Sequence, residues 1–279
     1  MTAGAGICHS EESPPGHSAV MHGVQLWVAL PEPARSAAPR DFTQYRDLPV
    51  IARDGLCAVV IVGELEGVVT PATTYSPLMG AELTVEGQVE VGLRKDYEYG
   101  VLALEPVLTV DGRPLGVSEI GYVGAGRDCL RLGSDGPVHA LLLGGEPFTE
   151  KLVMWWNFIG RSHDEVVEFR QAWNAESDQF GAVVGFEGDR LPAPPMPGSR
   201  LKSRGRERRQ PFVAGRAPSP GRAPSAGRPG RDHFSPERCR RIDRRVFRTR
   251  PRRGSTSWIK VTARPPRATA PRRRRCRRR

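Results

Sequence analysis

One histidine and one glutamate lie two residues apart near the start of this 279-residue chain, in the stretch Gly6-Ile7-Cys8-His9-Ser10-Glu11. On a β-strand, residues i and i+2 point to the same face, so the His9 imidazole and the Glu11 carboxylate are expected to lie side by side. A nitrogen donor beside an oxygen donor suits Fe(II) or a similar divalent ion that keeps positions open for substrate or O₂. By itself the pair fits a surface or core role better, so the assignment depends on its context.

Two other side chains with possible chemistry have simpler interpretations. His139 lies in an apolar run, which favours a packed strand histidine over a metal ligand. Cys8 is a candidate redox-sensitive thiol, although a small buried side chain is the favoured interpretation. The five cysteines are odd in number, widely spaced and without a CxxC pair, which argues against a zinc site and favours a reducing compartment.

Short apolar runs separated by turn signals indicate which elements must position these residues. Such runs cover 24–30, 56–62, 81–85, 99–104 and 138–143. Turn signals stand at Asp54-Gly55, Asp111-Gly112 and Asp135-Gly136, and a segment rich in proline and alanine, 30–39, reads as a linker. Runs this short at this spacing predict an all-β sandwich or barrel.

One helix and two extended segments are expected towards the end of this β region. Ser162 and Glu165 fit a capping box at a helix N-terminus, followed by apolar residues at helical spacing. Residues 155–158, Trp-Trp-Asn-Phe, predict the last strand of the barrel. Residues 191–197, Leu-Pro-Ala-Pro-Pro-Met-Pro, predict an extended segment, because neither a helix nor a central strand tolerates so many prolines.

Charge is unevenly distributed along the chain. From Arg200 to the end there are 29 basic and four acidic residues, whereas residues 1–199 hold 13 basic and 27 acidic residues. The acidic body is therefore a poor nucleic-acid binder, and nucleic acid is a candidate partner only of the Arg-rich tail. The tail is too polar and self-repelling to fold alone. Its Arg, Pro, Ala and Gly also share GC-rich codons, so a shifted reading frame is the favoured explanation of the composition.

Two segments carry a specific resemblance. Residues 1–11 read Met-Thr-Ala-Gly-Ala-Gly-Ile-Cys-His-Ser-Glu, and residues 22–31 read His-Gly-Val-Gln-Leu-Trp-Val-Ala-Leu-Pro. They resemble the TAGxGIxHxE and HGxQLWxxLP motifs of the pirin family. The resemblance continues more loosely through Thr74-Tyr75-Ser76-Pro77, Gly145-Glu146-Pro147 and the helix after Ser162, and it fades near residue 206.

The resemblance implies a fold and an activity. Pirins consist of two facing cupin barrels, and the first barrel binds iron through three histidines and one glutamate. His9 and Glu11 match the two of these ligands that lie in the HxE segment. Some pirins are quercetin 2,3-dioxygenases, so the resemblance implies an Fe(II) cofactor and a flavonoid-type small molecule as substrate. Glu11 would then take the proton of the substrate hydroxyl, and His9 would be a ligand.

The chain also departs from the family pattern. The other two pirin histidines lie in an HPHxGFE segment, and neither this segment nor any HxH occurs here. We therefore expect a chain shortened at its N-terminus relative to the family, with an incomplete metal site and no tightly held catalytic iron. The first interpretation is a pirin-like protein related to flavonol dioxygenases. The alternative is a non-catalytic regulatory module that binds a protein partner.

These observations predict an all-β fold with a partial first cupin-type barrel and a complete second barrel closed by one C-terminal helix. The expected domains are a first-barrel remnant with linker at 1–40, a second cupin domain at 41–190, a proline-rich extension at 191–206 and a disordered tail at 207–279. Because no apolar run approaches 18 residues and no leader pattern is present, we expect a cytoplasmic protein without a membrane partner.

Overall fold

The structure is a computed structural model and describes residues 1–11 and 23–205. Within these residues the first element is a four-residue helix, α1 (Glu32–Arg35), and the last is a longer helix, α2 (His163–Asn174). Twelve strands lie between them: β1 (Val50–Arg53), β2 (Leu56–Val62), β3 (Glu64–Leu65), β4 (Val68–Val69), β5 (Leu78–Gly92), β6 (Glu98–Ala103), β7 (Leu108–Val110), β8 (Arg113–Leu115), β9 (Ile120–Val123), β10 (Cys129–Gly145), β11 (Val153–Trp155) and β12 (Phe158–Gly160).

Two long antiparallel strands, β5 and β10, form the centre of an eight-stranded sheet. The strand order is β1-β2-β5-β10-β6-β9, and β7 pairs with both β10 and β8. At one end of the β5–β10 pair, buried Val91 and Leu132 alternate with exposed Glu90 and Arg131, because successive side chains of a strand point to opposite faces. The predicted all-β cupin fold is confirmed.

The turn signals have two different outcomes. Asp54-Gly55 joins β1 to β2, and Asp111-Gly112 joins β7 to β8, both as two-residue hairpin turns. Asp111 and Gly112 both have positive φ, 49° and 77°, which is the backbone geometry that such hairpins need. Asp135-Gly136 is instead part of β10, at a shift of register between Ser134 and Val138. There the signal marks a β-bulge and not the end of a strand.

The interior of the barrel is a closed apolar core. Leu83, Leu132 and Leu142 are completely buried, and Tyr97 and Tyr99 line the same cluster. Burial of apolar surface at about 25 cal/mol per Å² is the main contribution to the stability of such a core. Among the described residues, the buried polar or charged ones are Thr70, Thr84 and Ser134. Among the described residues, no histidine, aspartate or glutamate therefore belongs to this buried core.

Two local predictions are wrong. Residues 24–30 form no strand: Val24 is an isolated bridge residue, and 25–30 are neither helix nor strand. The predicted linker at 30–39 contains the short helix α1, which starts directly after Pro31. Residues 155–158 are not the last strand of the barrel. Trp156 has a φ of 50°, so the chain turns there and pairs β11 with β12 in a separate hairpin.

The β11–β12 hairpin and α2 enclose a second, smaller core. The N-cap is Ser162, whose Oγ accepts from the Glu165 N–H at 3.2 Å, as the sequence predicted. The rings of Trp156, Phe158, Phe169, Trp173 and Phe180 contact one another with centroids 5.3–6.2 Å apart, and we call them the aromatic cluster. No helix among the described residues is long and apolar enough to cross a membrane.

Candidate functional site

The residues directly before His9 are fixed against the turn that follows α2. Cys8 N–H donates to the Phe180 carbonyl at 2.8 Å, and the Cys8 thiol donates to the Gly181 carbonyl at 3.2 Å. Gln179 Nε2 donates to the Ala5 carbonyl at 3.1 Å. These three contacts attach the N-terminal segment to the turn after α2 over more than 170 residues of sequence. Cys8 is thus a half-buried, hydrogen-bonded thiol packed beside the aromatic cluster.

The close packing before His9 also explains a glycine. Gly6 has a φ of 144°, a conformation that residues with a Cβ rarely adopt. A Cβ added at Gly6 would lie 2.9 Å from the ring of Phe180, so a side chain at this position would collide with the aromatic cluster. Gly6 therefore lets the chain that leads to His9 pass close to the Phe180 ring.

His9 and Glu11 interact electrostatically, although they do not lie on a strand. Residues 6–11 are neither helix nor strand, so the argument from strand periodicity is wrong. His9 is half-buried, whereas Glu11 is exposed. Burial lowers the pKa of the His9 imidazole, and the nearby Glu11 carboxylate opposes this shift. A lowered pKa favours the neutral imidazole, which is the form that binds a metal ion.

The described residues do not complete an iron site around this pair. Within 1–11 and 23–205, no three His, Cys, Asp or Glu side chains come together as a metal-binding group. Metal centres that keep an open coordination position usually have three protein ligands. His9 and Glu11 provide two donors of the right chemistry, so the residues described do not fit a complete Fe(II) site. His22, the first residue of the second resembling motif, lies outside the described residues.

The segment 93–99 contains no histidine and offers no replacement site. The Arg94 guanidinium lies over the ring of Tyr97 at 4.6 Å and pairs with Asp96, and the Arg94 backbone N–H donates to the Tyr99 hydroxyl at 2.8 Å. Burial raises the pKa of both Tyr97 and Tyr99, so these phenols stay neutral. The group is explained by packing and hydrogen bonding.

His139 is likewise explained by its contacts on β10. Its Nδ1 lies 3.6 Å from Glu82 Oε1, and its backbone N–H donates to Glu105 at 3.0 Å. This arrangement matches the expected packed strand histidine.

Sequence reasoning missed the contribution of the turn at 178–181. Two arginines far apart in sequence also bind its backbone: Arg40 donates to the carbonyls of Asp178 and Gln179, and Arg190 donates to that of Gly181. No local sequence pattern predicts such a turn, because it binds its partners through backbone carbonyl groups and not through particular side chains. It is the element that positions the chain leading into His9.

Comparison with known proteins supports the resemblance. Residues 78–180 match the model of the pirin C-terminal cupin domain. A Pseudomonas aeruginosa protein named provisionally as a quercetin 2,3-dioxygenase is 43% identical over 199 residues, which cover 71% of this chain and 62% of that protein. A pirin-like protein of Caulobacter vibrioides is 33% identical over 181 residues, covering 63% of this chain and 62% of its own length.

A solved structure agrees with the sequence comparison. The crystal structure of quercetin 2,3-dioxygenase from Acinetobacter baumannii superposes with a TM-score of 0.58 at 33% identity, covering 63% of this chain and 59% of that one. The chain thus spans about three fifths of the length of the relatives it matches. With an apolar cupin barrel at 50–145 and the matching motifs before it, the chain is similar to pirins, and its residues 78–180 carry the pirin C-terminal cupin domain.

Proposed function

We propose that this chain is a pirin related to the quercetin 2,3-dioxygenases, and that it supplies His9 and Glu11 as one part of a divalent-metal site. The observation that carries the proposal is the pairing of a half-buried imidazole with a nearby carboxylate at the position matching the family's HxE segment. The names of the Pseudomonas and Acinetobacter relatives support flavonols as the substrate class. On this proposal the described residues alone do not sustain turnover, because only two donors are present.

The proposed roles of the two residues differ. His9 contributes a neutral nitrogen donor, held in place by the contacts of Cys8 and Ala5 with the 178–181 turn. Glu11 is exposed and contributes a carboxylate, either as an oxygen donor or as the acceptor of a proton from a substrate hydroxyl. Iron(II) is the cofactor that fits this donor chemistry when the remaining ligands are present.

Oxygen uptake with quercetin tests this proposal. The full chain, reloaded with Fe(II) under anaerobic conditions, should consume oxygen no faster than the same Fe(II) without protein. His9→Ala and Glu11→Gln should not change that rate, and Ser10→Ala is the matched control between them. Protein-dependent uptake that survives in Ser10→Ala and disappears in His9→Ala or Glu11→Gln would show that the chain is a self-sufficient dioxygenase.

The second candidate is a non-catalytic module that binds a protein partner. It is favoured by an exposed apolar strip, Leu26, Trp27 and Val28, whose side chains are 41–56% exposed. A barrel whose interior is a packed apolar core is suited to hold a binding surface in place. If this candidate is right, Trp27→Ser should weaken binding to a purified pirin partner while the exposed control Val69→Ser should not. Equal binding by both variants would contradict a role for this strip in binding the partner.

The remaining sequence-based predictions also stay proposals. Residues 206–279 lie outside the described residues, and we propose nucleic acid as a partner of that Arg-rich tail alone. Deleting 207–279 should abolish DNA binding at moderate salt, and unchanged binding would exclude the tail. The domain boundaries and the cytoplasmic location are likewise retained as predictions.

A further inference from the structure

Residues 191–205 run along α2 and are held mainly by side chains of the helix. Trp173 Nε1 donates to the Leu191 carbonyl at 2.9 Å, and Arg170 Nε donates to the Pro194 carbonyl. Asn174 makes two bonds to one residue: its Oδ1 accepts from the Ala193 N–H at 2.9 Å, and its Nδ2 donates to the Ala193 carbonyl at 3.3 Å. Three neighbouring side chains of α2 therefore bind backbone groups of this segment.

The segment places one small residue inside the second core. Ala193 is 4% exposed and packs with Phe158, Val166 and Phe180, whereas Leu191 is 70% exposed. Met196 packs against the same core. The groove between α2 and the hairpin thus admits a small side chain at 193 and a longer one at 196. A peptide bound in this groove should therefore carry a small residue three positions before a longer apolar one.

Proline suits this groove for a physical reason. Prolines at 192, 194, 195 and 197 have no N–H, so the backbone of this segment presents mostly carbonyl acceptors. The side chains of Trp173, Asn174 and Arg170 donate hydrogen bonds to these carbonyls. A proline-rich chain is already extended before binding and loses little conformational entropy. Aromatic residues that offer an N–H to the carbonyls of such a chain are a recurring way of recognising proline-rich peptides.

We propose that α2 and the β11–β12 hairpin form a recognition groove for proline-rich peptides, and that residues 191–197 are its occupant in cis. These contacts recognise backbone groups, the positions of the prolines and one small side chain. They do not require the bound segment to be part of the same chain. An exposed stretch, 184–189, links the turn at 178–181 to the occupant. A peptide with the Leu-Pro-Ala-Pro-Pro-Met-Pro pattern supplied by another chain should therefore bind the same groove.

The far end of the segment explains why the cis occupant prevails. Leu201 N–H donates to His163 Nδ1 at 3.1 Å, Arg200 pairs with Asp164, and Arg204 forms a backbone bridge with Leu152. Covalent attachment also gives the segment an effective concentration that a free peptide reaches only at millimolar levels. A peptide in trans should accordingly bind weakly until the cis segment is displaced.

Fluorescence anisotropy with a labelled peptide of residues 189–205 tests the proposal. The receptors are the full chain and the full-length Ala193→Asp variant, in which a carboxylate at a buried position expels the cis segment. The variant should bind the peptide at least about tenfold more tightly than the unmodified chain. A peptide that itself carries Ala193→Asp should bind neither receptor, and adding Asn174→Ala to the variant receptor should weaken binding about fivefold.

Equal binding of the two peptides, or no gain on Ala193→Asp, would overturn the proposal. If Ala193→Asp loses its cooperative thermal transition, the proposal is tested by tryptic cleavage of the unmodified chain. Excess natural peptide should then speed tryptic cleavage at Arg190 and Arg200 of the displaced segment, and the Ala193→Asp peptide should not. Unchanged cleavage with both peptides would show that the groove accepts only its covalently attached segment.

Discussion

Arg35 and Glu165 are joined by an ion pair, with Arg35 Nη2 lying 2.7 Å from Glu165 Oε1 across 130 residues of sequence. Both side chains are partly buried, at 20% and 29% exposure. Arg35 is the last residue of α1, and Glu165 lies in the first turn of α2, where a negative charge is favoured by the helix dipole. The pair therefore attaches the N-terminal part of the chain to α2.

Removing the arginine should loosen this attachment. Arg35→Ala is expected to lower the free energy of unfolding by about 1 kcal/mol, because the pair is partly buried and Arg35 also binds Glu32 at 2.8 Å. Urea unfolding of the full chain measures the change. Arg46→Ala is the matched control, since Arg46 is exposed and its side chain contacts the uncharged Gln44 at 3.4 Å. Equal losses in both variants would contradict a specific role for Arg35.

Glu165 should make stability depend on pH in the acid range. Burial alone raises the pKa of its carboxyl, but hydrogen bonds from the Arg161 N–H and from Arg35 outweigh burial and hold that pKa below the ordinary 4.5. The unfolded chain thus takes up the proton at higher pH than the folded chain. The stabilisation is fully present above pH 4.5 and is lost as the pH falls through the folded pKa.

The corresponding variant is Glu165→Gln. It should be less stable than the parent at pH 7, and the difference should shrink as the pH falls below about 4.5. Thermal unfolding across a pH series measures both quantities. Glu168→Gln, one turn along on the same helix, controls for the loss of a negative charge. A difference between Glu165→Gln and the parent that stays constant from pH 7 to pH 3 would show that ionisation of Glu165 does not stabilise the fold.

The packed barrel interior should be intolerant of truncation. Leu142 is completely buried in β10, so Leu142→Ala is expected to cost about 3 kcal/mol through lost burial and the cavity left behind. Leu26→Ala, at a side chain that is 41% exposed, should cost less than about 0.5 kcal/mol. Urea unfolding followed by circular dichroism gives both values. A small cost at Leu142 would mean that the lumen is loosely filled and open to a ligand.

Local patterns predicted much of the fold. The run at 56–62 coincides with β2, and the Asp54-Gly55 and Asp111-Gly112 turns and the Ser162 cap are all observed. Each of these features is specified by neighbouring residues. The run at 81–85 fell short of β5, because a strand paired on both sides continues through polar residues whose backbone bonds are satisfied by its neighbours.

Features that depend on distant contacts could not be predicted in the same way. Asp135-Gly136 reads as a turn, yet β10 continues through it because β5 stays paired on both sides of the bulge. His9 and Glu11 were found from type and spacing, but the geometry expected for them assumed a strand, and residues 6–11 do not form one. The turn at 178–181 binds through its carbonyls, which every sequence possesses, so no residue pattern reveals it.

Iron content of the purified full chain tests the central claim that His9 and Glu11 are only part of a metal site. After anaerobic incubation with Fe(II) and desalting, elemental analysis should find far less than one iron per chain, and His9→Ala should not lower that value. About one iron per chain that survives desalting and is lost in both His9→Ala and Glu11→Gln would contradict the account, because it would show that this chain completes the site itself.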